Sequence, residues 1–305
     1  MYTIGDTLLT SPPSNSQLEK MEKDLASWTR ALDIDGTCKI RLVISQVGRL
    51  AAMAYPDAAP EMLLLGAKFL TWLFAFDGEF LEESSKSHHE KIRTIKEISY
   101  AAPGKDAGIE SEMLRVFFEL SNEIALSASE AQFSRITNHL RSALFAALLE
   151  SASAQRHTGL NSISAYLATR RDSSGVLLCF SMAEVLSGFI MPEEKFYEPR
   201  VTALRNSACD AIVWSNDTFS HAKEEARQNT LGVLNILENQ GMGLEEALLC
   251  STEKHQEIIF RFIKLRKAAS QEAGSGEYCY VNCLWAWISA NHHWSSTTPP
   301  YSYNC

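Results

Sequence analysis

The stretch "NDTFSHAKE", residues 216–224, sets Asn216, Ser220 and Glu224 at two successive four-residue steps. On a helix this spacing stacks an amide, a hydroxyl and a carboxylate along one face. Such hard oxygen ligands suit Mg²⁺. Cys209, Ile212 and Val213 lie one and two turns earlier on that face, in "ALRNSACDAIVWS". An apolar wall that ends in oxygen donors describes a greasy cavity with a metal-binding mouth.

A second stretch repeats the pattern. "MLLLGAKFLTWLFAF" is apolar nearly all round, as in a helix surrounded by others, and then runs into "DGEFLEE". An acidic cluster after a helix is by itself most often solvated surface. Here Asp77 follows Leu73 and Phe74 by one turn, so the two helices carry an apolar wall and an oxygen-rich rim in register.

The elements that must position these residues are helical. Apolar residues recur at three- and four-residue steps in "LEKMEKDLASWTRAL", "IRLVISQVGRLAAMAY", "MLRVFFELSNEIAL", "FSRITNHLRSALFAALLESA" and "HQEIIFRFIKLRKAA", and no run alternates as a half-buried strand would. Turns are expected at "SPPSNS", "APGKDAG", "MPEEKFYEP", "NQGMG" and "EAGSGE", separating about ten or more helices by the usual Gly and Pro criteria. The expectation is an all-α, single-domain bundle over residues 17–305, preceded by a flexible segment, 1–16, with no internal repeat.

Composition removes several classes of function. With 305 residues, 46% of them hydrophobic, the chain has ample material for a core. The net charge of −9 argues against a broad nucleic-acid surface. An anionic ligand therefore needs metal ions or a few placed Arg and Lys. The N-terminal stretch has neither the basic start nor the apolar core of a signal peptide, and the longest apolar run is interrupted by Lys68 and too short to span a membrane. Seven scattered cysteines without CxxC pairs suit a reducing compartment, and a cytoplasmic protein is expected. His88-His89 and His292-His293 have no third ligand at helical spacing and read as surface or closing-loop residues. Gly274-Ser275-Gly276 reads as a turn before the last helix.

Taken together, these segments resemble the class I terpene synthases of the single-domain microbial type, along most of the chain. The family's second metal motif, N/D-D-x-x-S/T-x-x-x-E, is matched by Asn216, Asp217, Ser220 and Glu224. The resemblance implies that Asn216, Ser220 and Glu224 chelate Mg²⁺, and that Lys223 contacts the diphosphate. "YLATRRDSSG" is similar to the family segment that carries a diphosphate-sensing Arg before a broken helix. By position this is Arg170, 46 residues before Asn216, with Arg171 as the alternative, and Ser173 and Ser174 occupy the break. "WAWISANHHWSSTTPPY" is similar to the C-terminal W-S-x-x-T-x-R-Y, which implies a diphosphate contact from Tyr301 and an irregular tail that closes over the ligand.

Two positions depart from the family pattern. Its first metal motif is D-D-x-x-D/E, whereas Gly78 follows Asp77 and Leu81 stands fifth, leaving Asp77 with Glu82 or Glu83 as the acids. Pro300 replaces the Arg of the C-terminal motif. The resemblance implies ionisation and cyclisation of an allylic prenyl diphosphate, farnesyl diphosphate to a sesquiterpene, with three Mg²⁺ around the diphosphate and a pairing of two copies. Leu73, Phe74 and Trp285 are expected to line the cavity, with Phe80 and Trp294 as further aromatic candidates. Gly78 and Pro300 motivate two alternatives: capture of the cation by water or a second nucleophile, and a non-catalytic prenyl-binding protein.

Overall fold

A computed structural model describes residues 17–77, 88–99, 111–155, 162–226, 232–270 and 275–298, with the backbone alone at 37, 41, 88, 151–155, 222–226, 270 and 275. Among these residues there are fourteen helices and no strand. They are α1 Leu18–Ala31, α2 Gly36–Ile44, α3 Val47–Ala54, α4 Pro60–Phe76, α5 His88–Ser99, α6 Glu112–Ser127, α7 Glu130–Gln155, α8 Ile163–Ser173, α9 Val176–Leu186, α10 Glu193–Phe196, α11 Pro199–Ala226, α12 Val233–Asn239, α13 Leu244–Ser270 and α14 Ser275–Thr297. The all-α expectation holds.

Helix α4 shows how sequence becomes position. Pro60 opens it, where a missing N–H costs nothing. Leu63, Phe69, Leu70, Trp72 and Phe76 are buried around its circumference, so it runs inside the bundle rather than over it. Trp72 stacks on Phe76, meets the Phe117 ring at a tilt, and donates its indole N–H to the Met113 carbonyl at 2.8 Å, fixing α4 against α6. Helix α11 packs along both α13 and α14. Trp214 donates to the Ser251 carbonyl at 3.0 Å, and His255 meets the Ala211 carbonyl at 3.0 Å, so α13 runs antiparallel to α11. One hydrophobic cluster extends from Met21 to Trp294. Among the described residues, no helix is long and apolar enough to cross a membrane.

Gly276 corrects the expected turn: it lies in the first turn of α14. A Cβ there would stand 2.2 Å from the Ile190 carbonyl oxygen. The glycine allows a backbone approach that no side chain permits. Gly276→Ala is expected to destabilise the fold by about 1–3 kcal/mol, the usual cost of overpacking, read as a lower urea midpoint; an unchanged midpoint would count against this close contact.

One end of the bundle holds a buried polar group. Arg135 donates to both carboxylate oxygens of Glu184 at 3.0 and 2.8 Å, and the guanidinium groups of Arg135 and Arg205 lie over the Phe196 ring at 4.5 and 4.2 Å. His139 beside them is hydrogen-bonded to Ser181 at 2.7 Å. Burial, then the charges of Arg205 and Arg135, push its pKa down to about 4. Burial, then His292, does the same to His255, against the Ala211 bond.

Both histidines take up a proton in the unfolded chain near 6.5 but in the folded chain only near 4. Stability is therefore full above the unfolded value and declines as pH falls from 6.5 towards 4, by about 3 kcal/mol per histidine at the lower limit. Urea unfolding across this range should show a shallower acid loss in His139→Asn combined with His255→Gln than in the parent. Parallel curves would contradict the assignment.

Candidate active site

The 28-residue helix α11 sorts its side chains by neighbour. Thr218 hydrogen-bonds Ser251 of α13 at 3.0 Å, and Phe219 lies 5.8 Å from the His292 ring of α14. Asn216 and Ser220 are half-buried, with no side-chain hydrogen bond among the described residues. Their oxygens are free to take a ligand. Glu224 follows one turn later on the same helix; its side chain and that of Lys223 lie outside the described residues.

Asp217 does different work. Arg170 donates to both of its oxygens, at 3.1 and 2.9 Å, and the Tyr166 hydroxyl donates to it as well. Arg170 also donates to Ser173 at 3.2 Å and lies 3.5 Å from Glu150. Burial works against the guanidinium charge, but Asp217 and Glu150 outweigh it and hold the Arg170 pKa well above its ordinary value. Burial, then the Asp217 charge, keeps the Tyr166 phenol protonated.

These residues are brought together by a break in the chain. Ser162 caps α8 by accepting the Ala165 N–H at 3.2 Å. Tyr166 and Arg170, four residues apart, then share one face. The helix stops at Ser173, Gly175 takes a left-handed φ of 71°, and α9 starts anew, with Ser174 Oγ accepting the Val176 N–H at 3.3 Å. Arg171 turns away, donating to Asp210 at 2.6 and 2.9 Å. Of the two candidate arginines, Arg170 is the one that meets the metal-motif turn of α11.

Asp77 ends α4 at the surface, with Leu73 and Phe74 half-buried one turn before it. Phe74 meets Trp294 edge-on at 5.7 Å, and Trp294 donates to the Ser45 carbonyl at 2.6 Å. On the same stretch of α14, Asn291 donates to the Ile212 carbonyl at 3.3 Å. The last turns of α14 thus join the Asp77 end of α4 to the Asn216 turn of α11.

Trp285 of α14 stacks on Phe262 of α13 at 5.9 Å, with the Arg266 guanidinium 5.2 Å from its ring centre. The expected irregular tail is corrected. The tail is helical through Thr297, because no Gly or Pro interrupts residues 291–298 and the Ser296 and Thr297 hydroxyls bond the His293 carbonyl at 2.9 and 2.7 Å. His292 and His293 are accordingly half-buried helix residues rather than loop residues. Gly78, Phe80, Leu81, Glu82, Glu83, Pro300 and Tyr301 lie outside the described residues.

Sequence reasoning gave no part to Tyr166, Glu150 or Asp210. The one available signal was Tyr166, one helical turn before Arg170. Among the described residues, no three His, Cys, Asp or Glu side chains converge as a metal site. The oxygen donors on α11 are instead an amide and a hydroxyl, and Asn216 and Ser220 present them unengaged, which fits a hard cation.

The chain is 28% identical over 94% of its length to 4-epi-cubebol synthase of Streptosporangium roseum, a farnesyl diphosphate-cyclising enzyme, covering 88% of that protein. It is 26% identical over 84% of its length to (+)-T-muurolol synthase of Roseiflexus castenholzii, also described as cyclising farnesyl diphosphate, covering 80% of it. The linalool/nerolidol synthase of Streptomyces clavuligerus, solved with 2-fluorogeranyl diphosphate, shares the fold with a TM-score of 0.84 at 20% identity, over 96% of this chain and 98% of that one. The model for "Terpene synthase family 2, C-terminal metal binding" matches residues 68–259, more than half of the chain, so that the protein belongs to the terpene synthases and is a metal-binding lyase of class I.

Proposed function

We propose that this protein uses Mg²⁺ to ionise farnesyl diphosphate and cyclises the resulting cation to a sesquiterpene. The observation that carries the reading is the division of labour on one turn of α11. Asn216 and Ser220 offer unengaged oxygens, while Asp217 between them grips Arg170. The relatives described as cyclising farnesyl diphosphate support the choice of substrate.

Asn216, Ser220 and Glu224 would hold a metal ion on α11, and Asp77, with Glu82, would hold metal across the mouth; three Mg²⁺ in all is the family arrangement. Bound Mg²⁺ supplies positive charge for the departing diphosphate. Arg170, Lys223 and Tyr301 orient that diphosphate by charge-assisted and neutral hydrogen bonds. The C1–O bond breaks with its electron pair going to the leaving group, and an allylic cation remains. Leu73 and Phe74, the latter packed edge-on against Trp294, would exclude water from it, and aromatic faces favour its charge. Ser173 and Ser174 place the break of α8 beside the reacting end.

The hydrophobic cluster running from Met21 to Trp294 supports reading 17–305 as one domain. No disulfide joins the six described cysteines, which suits action in the cytoplasm. Pairing of two copies is part of the same family reading.

Incubation with geranyl, farnesyl and geranylgeranyl diphosphate plus Mg²⁺, with volatile products identified by mass spectrometry, tests the substrate. A cyclic C15 hydrocarbon or alcohol from farnesyl diphosphate is expected. Turnover confined to another chain length, or acyclic alcohols alone, would refute the cyclisation of farnesyl diphosphate.

A further inference from the structure

Beside the diphosphate end of the site lies a second ionic group that the reading above does not use. Asp210 is fully buried on α11 and binds two arginines from different helices. Arg171 of α8 donates to it twice, at 2.6 and 2.9 Å, and Arg261 of α13 donates at 2.7 Å while bonding Ser207 at 3.2 Å. The Cys209 thiol adds a 3.8 Å contact to the Arg171 carbonyl.

The spacing explains why this arrangement matters for Arg170. Asp210 and Asp217 are seven residues apart, two helical turns, so both present carboxylates on one face of α11. Arg170 takes one and Arg171 takes the other. Adjacent residues on a helix project about 100° apart, so two such bonds fix both the rotation and the height of the α8 end on α11. Without the Arg171 bond, the end of α8 would be tied ionically to α11 only at Asp217, which Tyr166 and Arg170 share. The break at Ser173–Gly175 follows immediately and inherits this placement.

We propose that Asp210 is a positioning residue, which through Arg171 and Arg261 sets the aim of Arg170 at the diphosphate. This rests on the reading of Arg170 as a diphosphate contact. Asp210 itself touches neither metal nor substrate; it acts through the arginine fork.

A double-mutant cycle tests it. Asp210→Asn keeps the side-chain shape and removes the charge. It should weaken binding of inorganic diphosphate in the presence of Mg²⁺, measured by calorimetry, and raise KM for farnesyl diphosphate, by about 10- to 100-fold, the scale of a misplaced binding group. In an Arg170→Gln background the same substitution should change both by less than about twofold, since there is no aim left to lose. Arg261→Gln, at a half-exposed position, should move both constants in the same direction with an unfolding midpoint near the parent's, and it carries the cycle if Asp210→Asn fails to fold.

If Asp210→Asn lowers only the unfolding midpoint, or costs the same factor with and without Arg170, Asp210 is structural and the proposal is overturned. Failure of the underlying reading is seen separately, in the Arg170→Gln single variant. Unchanged diphosphate affinity there removes Arg170 as a contact, and the proposal with it.

Discussion

Turnover of farnesyl diphosphate is expected to fall by about 10³-fold or more when Asn216 and Glu224 are both replaced by alanine, because removing a single preorganised group at a developing charge already costs about 10²–10³. Two of the three oxygen donors on α11 would be gone, leaving Ser220 alone. The helix should survive: Asn216 makes no side-chain hydrogen bond among the described residues, and alanine favours helix. Circular dichroism and the unfolding midpoint should therefore match the parent while diphosphate release collapses. Activity within a few-fold of the parent would refute the metal assignment on α11.

The neighbouring residue should behave in the opposite way. Asp217→Ala is expected to destabilise the protein by about 3 kcal/mol, in the range for removing one partner of a buried ion pair. Its side chain is 10% exposed, and it accepts from Arg170 twice and from Tyr166. Removal strands a guanidinium that is 19% exposed and a fully buried phenol. Urea unfolding at neutral pH measures the loss, and Asp217→Asn, which keeps the shape and one accepting oxygen but not the charge, should fall between. A stability unchanged in Asp217→Ala would mean that Glu150 and Ser173 suffice to hold Arg170. The contrast between positions 216 and 217 separates a residue kept for a ligand from one kept for the scaffold.

That contrast marks where sequence reading reaches its limit. Asn216, Ser220 and Glu224 are legible because they lie on one helix, where spacing alone sets the face. The task of Asp217 is not, because its partners Tyr166 and Arg170 come from a helix 47–51 residues upstream. The same limit separates Phe74 from Trp285. Both are half-buried aromatics at helical spacing, but one meets Trp294 beside Asp77 and the other meets Phe262 and Arg266. Periodicity reports that a side chain is covered and is silent on what covers it. Gly276 was misread for a related reason. A glycine required by a neighbouring carbonyl looks, in sequence, like one required by a turn. The end of α14 was misread because Ser, Thr and a following Pro-Pro resemble a loop, whereas their hydroxyls bond back to the helix.

The central claim is metal-dependent ionisation at the Asn216 turn followed by ring closure. It is tested most directly by incubating the purified protein with farnesyl diphosphate, with and without Mg²⁺, and following inorganic diphosphate release and volatile products in the same reaction. The account predicts release that requires Mg²⁺, accompanied by a cyclic C15 product, and both lost in the Asn216→Ala, Glu224→Ala protein. Folded protein that releases no diphosphate, or that releases it equally without Mg²⁺, would contradict it.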